Sequence, residues 1–543
     1  MYLERDAAET VTAPSRAPTT PTHETPTDQP AVARLAFAHH WLWLGAILVA
    51  GLFVRLWQIN ALGFNTDEAV YAGQGASIAG DSDLQPYFPV FRAHPLLFQT
   101  ILSLGYKFGT SDIEGRLIAV AFGLATILVV YKAGELLYGR RAGLLAAMII
   151  ALMPYHVVVT RQVLLDGPLT FWSAVTLYLM ARFVHTRRVA WLYAAGAGFG
   201  LTCLSKETAI LLIGSVFVFF ALTPTLRIRP REFLITVGIA VLTILPFPLA
   251  LVLSGHSSSG GAFLSWQLFR RSNHGLDFYL LEVPAAMGYL VVVLALGGLW
   301  FLRKRRSWRE TLLLSWALVP AAFFELWPVK GYQYLLPAAV PVALLAARTL
   351  DWLISGEAFA GRRMRQSSRG EAGAATAVRL RRWAAPAAVA IVAVSILVPT
   401  LRKIQPSHST EFLAGSGGVP GGREAGRWVA ANVPTGGTLL TVGPSMANIL
   451  QFYGHRKAFG LSVSTNPLNR NPTYEAVKNP DLSIRANDLQ YVVWDAFSAS
   501  RSRFFGDRLL RYAKRYNGRA VHTEWVTNGS VREPVIQIFE VRP

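Results

Sequence analysis

The sequence predicts a mainly α-helical, polytopic membrane bundle followed by a smaller soluble α/β domain. Three observations carry this expectation. Of the 543 residues, 52% are hydrophobic and only 15% charged, and the mean hydropathy is +0.35, more apolar than a soluble enzyme. Apolar runs of roughly 16–22 residues, the length a bilayer core requires, recur along the first three quarters of the chain. Beyond residue 404 the long runs stop, and short alternating, β-branched segments replace them.

Spans are expected at 38–57, 116–137, 142–160, 167–184, 190–205, 207–223, 233–254, 284–302, 311–327, 332–350 and 384–402. The piece 94–109 is ambiguous: it is short, opens with His94-Pro95 and carries Lys107. Charge decides the parity. Arg140-Arg141, His185-Thr186-Arg187-Arg188, the run from Arg227 to Arg231, Arg303-Lys304-Arg305-Arg306 and the arginine-rich segment 355–383 all fall on one side only if 94–109 does not cross. That piece is therefore expected to lie at the outer surface or to re-enter, leaving about eleven spans. The resulting plan is a disordered cytoplasmic tail (1–37), a transmembrane domain (38–404) with an outer-face loop (58–115), and an extracytoplasmic domain (405–543). The expected location is the plasma (inner) membrane, multi-pass, with the N-terminus inside.

The formal charge is +20, yet the basic residues sit in short clusters between apolar spans. A nucleic-acid binder would concentrate them on one soluble face, so no nucleic acid is expected. The lone Cys203 permits no intramolecular disulfide, so an exported domain must fold on its core alone. The Pro- and Thr-rich start reads as disordered. The first apolar span begins late and lacks a small-residue cleavage site, so no cleavable signal is expected. No internal repeat is visible.

The soluble domain is expected to begin at a Gly-rich linker (415–422). Helices are expected at 424–432 and 508–516, and strands at 438–442, 491–494, 520–526 and 535–541. Together they suggest an α/β sandwich of about 120 residues. It shows no paired acids, nucleophile–base set or metal-ligand cluster. It is expected to shape acceptor access without doing chemistry, so its removal is expected to spare slow turnover of a donor.

The chemistry-bearing stretch is Gly63-Phe64-Asn65-Thr66-Asp67-Glu68-Ala69-Val70-Tyr71. Two adjacent carboxylates beside a membrane span either mark the water interface or supply a catalytic base. Other polar residues assigned to the outer face are Arg92, His94, Arg161, Asp166, Lys206, Glu207, Lys330, Tyr332 and Tyr334. Carboxylates facing cations at one membrane surface suit an anionic lipid whose leaving group is a phosphate: the cations neutralise the phosphate and a carboxylate deprotonates the acceptor. Plainer readings stand beside this one. Arg161 and Asp166 are spaced to form a structural ion pair. Lys206-Glu207 fits a hairpin tip, Lys330 can snorkel, and Tyr332 and Tyr334 fit an interfacial aromatic belt.

The order of these pieces resembles the class C glycosyltransferases that use polyprenyl-phosphate sugars, above all the protein O-mannosyltransferase and aminoarabinose-transferase group, family 39 and its relatives. The resemblance rests on Asp67-Glu68 with Tyr71-Ala72, His94-Pro95-Leu96-Leu97, Gly115-Arg116-Leu117, Gly139-Arg140-Arg141-Ala142-Gly143, Arg161 to Asp166, Leu204-Ser205-Lys206-Glu207 and Gly331-Tyr332-Gln333-Tyr334-Leu335-Leu336-Pro337. It covers about residues 40–350. It implies the class C fold and catalytic acids at Asp67, Glu68 and Asp166, with Asp67 as base. It also implies donor-phosphate contacts among His94, Arg161, Lys330, Arg92 and Lys206, and substrate contacts at Tyr71, Glu207, Tyr332 and Tyr334. The chain departs from the pattern at Leu96, where relatives carry a second proline, and at Gln333, where many carry Arg or His.

The expected function is an inverting hexosyl- or pentosyltransferase, with mannosyl transfer among the options. It moves one sugar from a polyprenyl-phosphate carrier to a hydroxyl of a protein, lipid or envelope glycan. No cofactor is certain from the sequence. A divalent metal is possible but not indicated: no metal-binding cluster is visible, which a polyprenyl monophosphate leaving group explains, whereas a pyrophosphate donor calls for a divalent ion held by several acids. The rival is a lipid-linked sugar transporter, against which stand acids clustered at one surface and the lack of inverted repeats with broken helices.

Overall fold

A computed structural model describes residues 40–269, 272–305, 307–355, 371–406, 419–528 and 530–543. The expected tail, the first half of the Gly-rich linker and the first half of the basic segment 355–383 lie outside these residues.

Helices fill the chain to Lys403. Among the described residues, Asp112–Tyr138, Tyr332–Ser355 and Ala384–Lys403 are long and apolar enough to cross a membrane. Three further pairs qualify only when each is joined across a bend: Arg140–Leu152 with Pro154–Thr160 (59°), Pro230–Ile244 with Pro246–Leu253 (42°), and Phe278–Met287 with Tyr289–Phe301 (101°). These coincide with six of the expected spans. The other five fall on helices that are shorter or more polar, such as His40–Leu56 and Val189–Ser205. The helix in the ambiguous piece, Leu97–Tyr106, has only ten residues, about 15 Å at 1.5 Å per residue, half a bilayer core.

Each bend has a local cause. Pro154 and Pro246 stand at first helical positions, where the missing N–H is harmless but the preceding helix cannot continue. The carbonyls freed before Pro154 find new donors: Arg55 Nη1 bonds Ala151 O at 3.0 Å and Thr400 Oγ1 bonds Leu152 O at 2.6 Å. Arg55 is fully buried and also reaches Thr160 Oγ1 and His156 Nδ1. The sharp bend sits on Gly288, whose φ of 93° a side chain would strain.

The C-terminal part is a five-stranded mixed sheet of β1 (Leu439–Thr441), β2 (Ala458–Gly460), β3 (Tyr491–Asp495), β4 (Arg519–Asn528) and β5 (Val531–Glu540), in the order β2-β1-β3-β5-β4. The first three are parallel, with Leu440 facing Phe459 on one side and Val492 on the other. The last two form a long antiparallel hairpin against β3, with Val493 facing Ile538. Helices Gly422–Asn432, Pro444–Gly454 and Arg503–Arg515 cover the sheet. All four expected strands are present; the short β2 and the helix before it are additions. Trp41–Pro543 pack as one unit, and a single apolar cluster contains both Phe64 of the first loop and Phe452 and Tyr453 of the soluble part.

Candidate active site

The chain after the first helix leads into the helix Thr66–Ala79, whose start is built by a capping box. The Asn65 side chain accepts from the Asp67 and Glu68 N–H groups, each at 3.0 Å, and Glu68 Oε2 accepts from the Asn65 N–H at 3.1 Å. The signal is readable in the chain as Asn-x-x-Glu. Glu68 is fully buried. It takes a bidentate pair from Arg116, Nε at 2.9 Å and Nη2 at 2.8 Å, and a third bond from the Val163 N–H at 3.1 Å. Arg116 also donates to the carbonyls of Ile59, Leu62 and Gly63. Glu68 thus ties the start of its helix to Arg116 and to the segment that carries Val163. It does not face the cleft, which corrects its expected place among the catalytic acids.

Asp67 points the other way. It lines a cleft of about 440 Å³ together with Tyr71, Arg92, His94, Lys206, Glu207 and Tyr334. The Asp67 carboxylate takes no hydrogen bond from the described residues. Burial in the cleft raises its pKa above the ordinary carboxylate value, against the opposing pull of Lys206 and His94. Aromatic residues Phe263, Trp266, Phe324 and Trp327 form one wall.

The cleft cations are individually held. Lys206 Nζ bonds both oxygens of Asp166, at 2.8 and 3.0 Å, and lies 4.7 Å from the centre of the Tyr334 ring. His94 Nδ1 lies 2.8 Å from Glu207 Oε2 and packs edge-on against Tyr71 and Phe263. Arg92 reaches the Thr473 carbonyl at 3.4 Å and sits over the Tyr474 ring. Its buried Nη1 has no partner among the described residues. Lys206 and Glu207 therefore do not form an idle hairpin tip. They stand at the start of the 3₁₀ turn Glu207–Leu211 with their side chains engaged in the cleft.

Besides Glu68, four expected residues lie outside the cleft lining. Arg161 does not pair with Asp166; it donates to the carbonyls of Ile404 and Trp57. Asp166 stands behind Lys206 and orients it. Lys330 Nζ is buried against the carbonyls of Phe324 and Glu325. Tyr332 packs on Tyr155, whose hydroxyl bonds the Tyr332 carbonyl. Arg161 and Lys330 thus spend their donors on backbone carbonyls, and Asp166 spends its carboxylate on Lys206. Sequence reasoning missed the cleft residues Asn471, Thr473 and Tyr474. They come from the C-terminal part that carries the sheet, and no local pattern marks them.

Known proteins resemble this chain in sequence and in shape. Residues 93–250 match the family described as dolichyl-phosphate-mannose-protein mannosyltransferase. The undecaprenyl phosphate-alpha-4-amino-4-deoxy-L-arabinose arabinosyl transferase 1 of Pseudomonas fluorescens is 29% identical over 44% of this chain and 46% of its own length. Its namesake from Sodalis glossinidius is 28% identical over 56% and 58%. The chain thus spans about half the length of the curated relatives it matches. The crystal structure of ArnT from Cupriavidus metallidurans in the apo state superposes with a TM-score of 0.69 at 17% identity, covering 93% of this chain and 98% of that one. The archaeal oligosaccharyltransferase AglB from Archaeoglobus fulgidus, solved with an inhibitory peptide and a dolichol-phosphate, gives 0.56 at 16% identity, over 92% and 74%.

Proposed function

We propose that this chain, which has the fold of the class C polyprenyl-phosphate-sugar glycosyltransferases, is itself such an enzyme and transfers one sugar, with inversion, from a polyprenyl-phosphate carrier to an acceptor hydroxyl. The observation that carries the reading is the Asp67 carboxylate. It is half-buried and unengaged, in a cleft that also holds Arg92, His94 and Lys206. The acceptor O–H gives its proton to Asp67 as its oxygen bonds C1 of the sugar. The C1–O bond to phosphate breaks, and polyprenyl monophosphate leaves with the bonding pair. Arg92 is the foremost phosphate contact, because its buried Nη1 needs an acceptor. Lys206 adds positive potential but is already matched by Asp166, and His94 is held by Glu207. The aromatic wall suits the sugar ring and the first isoprene units.

The eleven-span topology, the cytoplasmic N-terminus and the extracytoplasmic position of 405–543 belong to the same reading. They rest on the one parity that gathers the basic clusters on one side. So does the plasma (inner) membrane location. The deciding experiment incubates purified protein with a donor labelled in the sugar and measures release of polyprenyl phosphate. An enzyme cleaves the donor, and Asp67→Asn slows that cleavage by orders of magnitude. A lipid-linked sugar transporter would move the same lipid between leaflets of a vesicle without cleaving it, and that outcome would replace the reading.

A further inference from the structure

The direction of the Asp67 carboxylate depends on the backbone of residues 60–66, because Asp67 is the second residue of its helix. From the membrane side that backbone is held by Arg116 through the carbonyls of Ile59, Leu62 and Gly63. From the other side it is held by the soluble domain. Tyr453 Oη accepts from the Phe64 N–H at 2.7 Å and donates to Asp112 Oδ2 at 2.6 Å. Asn448 Nδ2 donates to Thr66 Oγ1 at 3.0 Å. The Phe64 ring packs 5.1 Å from that of Phe452. Arg423 donates to the side chain and carbonyl of Asn60, at 2.9 and 3.1 Å. Gly63 passes so close that a Cβ on it would lie 2.6 Å from Arg423 Cβ.

We propose that Tyr453 is a positioning residue for the Asp67 base, so that a helix of the soluble domain, Pro444–Gly454, sets the geometry of a reaction carried out in the membrane-helical part. The proposal rests on the glycosyltransferase reading above. Tyr453 does not line the cleft, so it acts through the loop rather than on substrate. Its hydroxyl bridges two elements of the helical part: Phe64, three residues before the base, and Asp112, which opens the helix that also carries Arg116. Asp112 is in turn held by Arg423 Nη1 at 3.3 Å. Both ends of this bridge are buried, so removing the hydroxyl leaves the Phe64 N–H without an acceptor and Asp112 with Arg423 but without its shorter bond. The loop then relaxes, and a shift of about 1 Å at a reacting group is enough to cost ~100-fold in rate.

The test compares full-length wild type, Tyr453→Phe, Asn448→Ala and Tyr516→Phe by two readouts. The last variant removes a tyrosine hydroxyl inside the same domain, one bonded to Asp481 at 2.8 Å and remote from the loop. The first readout is donor turnover. Tyr453→Phe should lower kcat ~10–100-fold with the donor KM within about twofold, Asn448→Ala should lower kcat less, and Tyr516→Phe should leave it unchanged. The second readout is hydrogen exchange at the Asp67, Glu68 and Ala69 amides, which bond Asn65 and not Tyr453. These amides should exchange faster in Tyr453→Phe and Asn448→Ala and not in Tyr516→Phe. If Tyr453→Phe does not fold, Asn448→Ala alone decides. Unchanged exchange at these amides overturns the proposal. So does a loss of activity that only tracks the folded fraction, with kcat per folded molecule intact. A wild-type protein that cleaves no donor ends the functional reading, while faster exchange in the two loop variants would still uphold the hold on the loop.

Discussion

Asp67 and Glu68 are adjacent, but successive residues on a helix point about 100° apart, so one turns to the cleft and the other to the interior. Glu68 meets Arg116 in a buried bidentate pair and closes the helix cap. Glu68→Gln leaves the Arg116 charge without its partner, and breaking such a pair costs about 3–5 kcal/mol. The expected outcome is a lowered thermal transition with turnover per folded molecule largely kept. Asp67→Asn keeps size and shape and removes the base. It should lower turnover by ~10²–10⁴-fold while donor binding, measured by displacement of labelled polyprenyl phosphate, stays near normal. The raised pKa of Asp67 has a further consequence. The base works only when deprotonated, so kcat/KM should fall on the acid side at a pH above that of an ordinary carboxylate, and this limb should vanish in the residual activity of Asp67→Asn.

At the scale of the element, β3 carries an electrostatic cost. Asp495 ends that strand, is fully buried, and caps the helix Ala496–Arg501 through the Ser498 N–H at 2.6 Å. Burial raises its pKa from 3.8 to about 6, although the bonds from Ser498 oppose the shift. The folded state therefore binds this proton more tightly than the unfolded chain does. Stability is highest with the group protonated, falls as pH rises from about 4 to about 6, and is then lower by on the order of 2–3 kcal/mol. Asp495→Asn keeps the acceptor for Ser498 and abolishes the charge. Amide exchange of β3 in the full-length protein, corrected for intrinsic rates, should slow between pH 7 and pH 5 in wild type and stay level in the variant.

For the whole molecule the question is which part faces which side and what the soluble domain contributes. A reporter fused after Pro543 should be active only outside the cell, because the basic clusters Arg140-Arg141, His185 to Arg188, Arg227 to Arg231, Arg303 to Arg306 and those in 355–383 belong on the opposite face. Cytoplasmic activity would invert the assignment of every loop, including that of Asp67. Composition alone suggested that the soluble domain is dispensable for slow donor turnover. Its placement argues otherwise: it supplies Asn471, Thr473 and Tyr474 to the cleft, anchors Arg92, and grips residues 60–66. Deleting 405–543 should therefore reduce donor cleavage to background, with circular dichroism reporting the helical part still folded.

What the sequence determined by itself is whatever depends on near neighbours along the chain. Apolar runs of bilayer length mark helices because every backbone group in lipid must be satisfied within its own segment. A short apolar run marks β3 as a covered strand, and alternation marks β4 and β5 because side chains repeat every two residues along a strand. The Asn65–Glu68 cap and the proline breaks are equally local. Tertiary structure alone decided which charges meet. Arg161 lies five residues from Asp166, yet Asp166 pairs with Lys206, forty residues away, and Arg161 turns to the carbonyls of Ile404 and Trp57. Tyr453 reaches Phe64 across 389 residues. The energy of a buried ion pair or hydrogen bond is set by distance and burial after packing. Spacing along the chain carries no record of either.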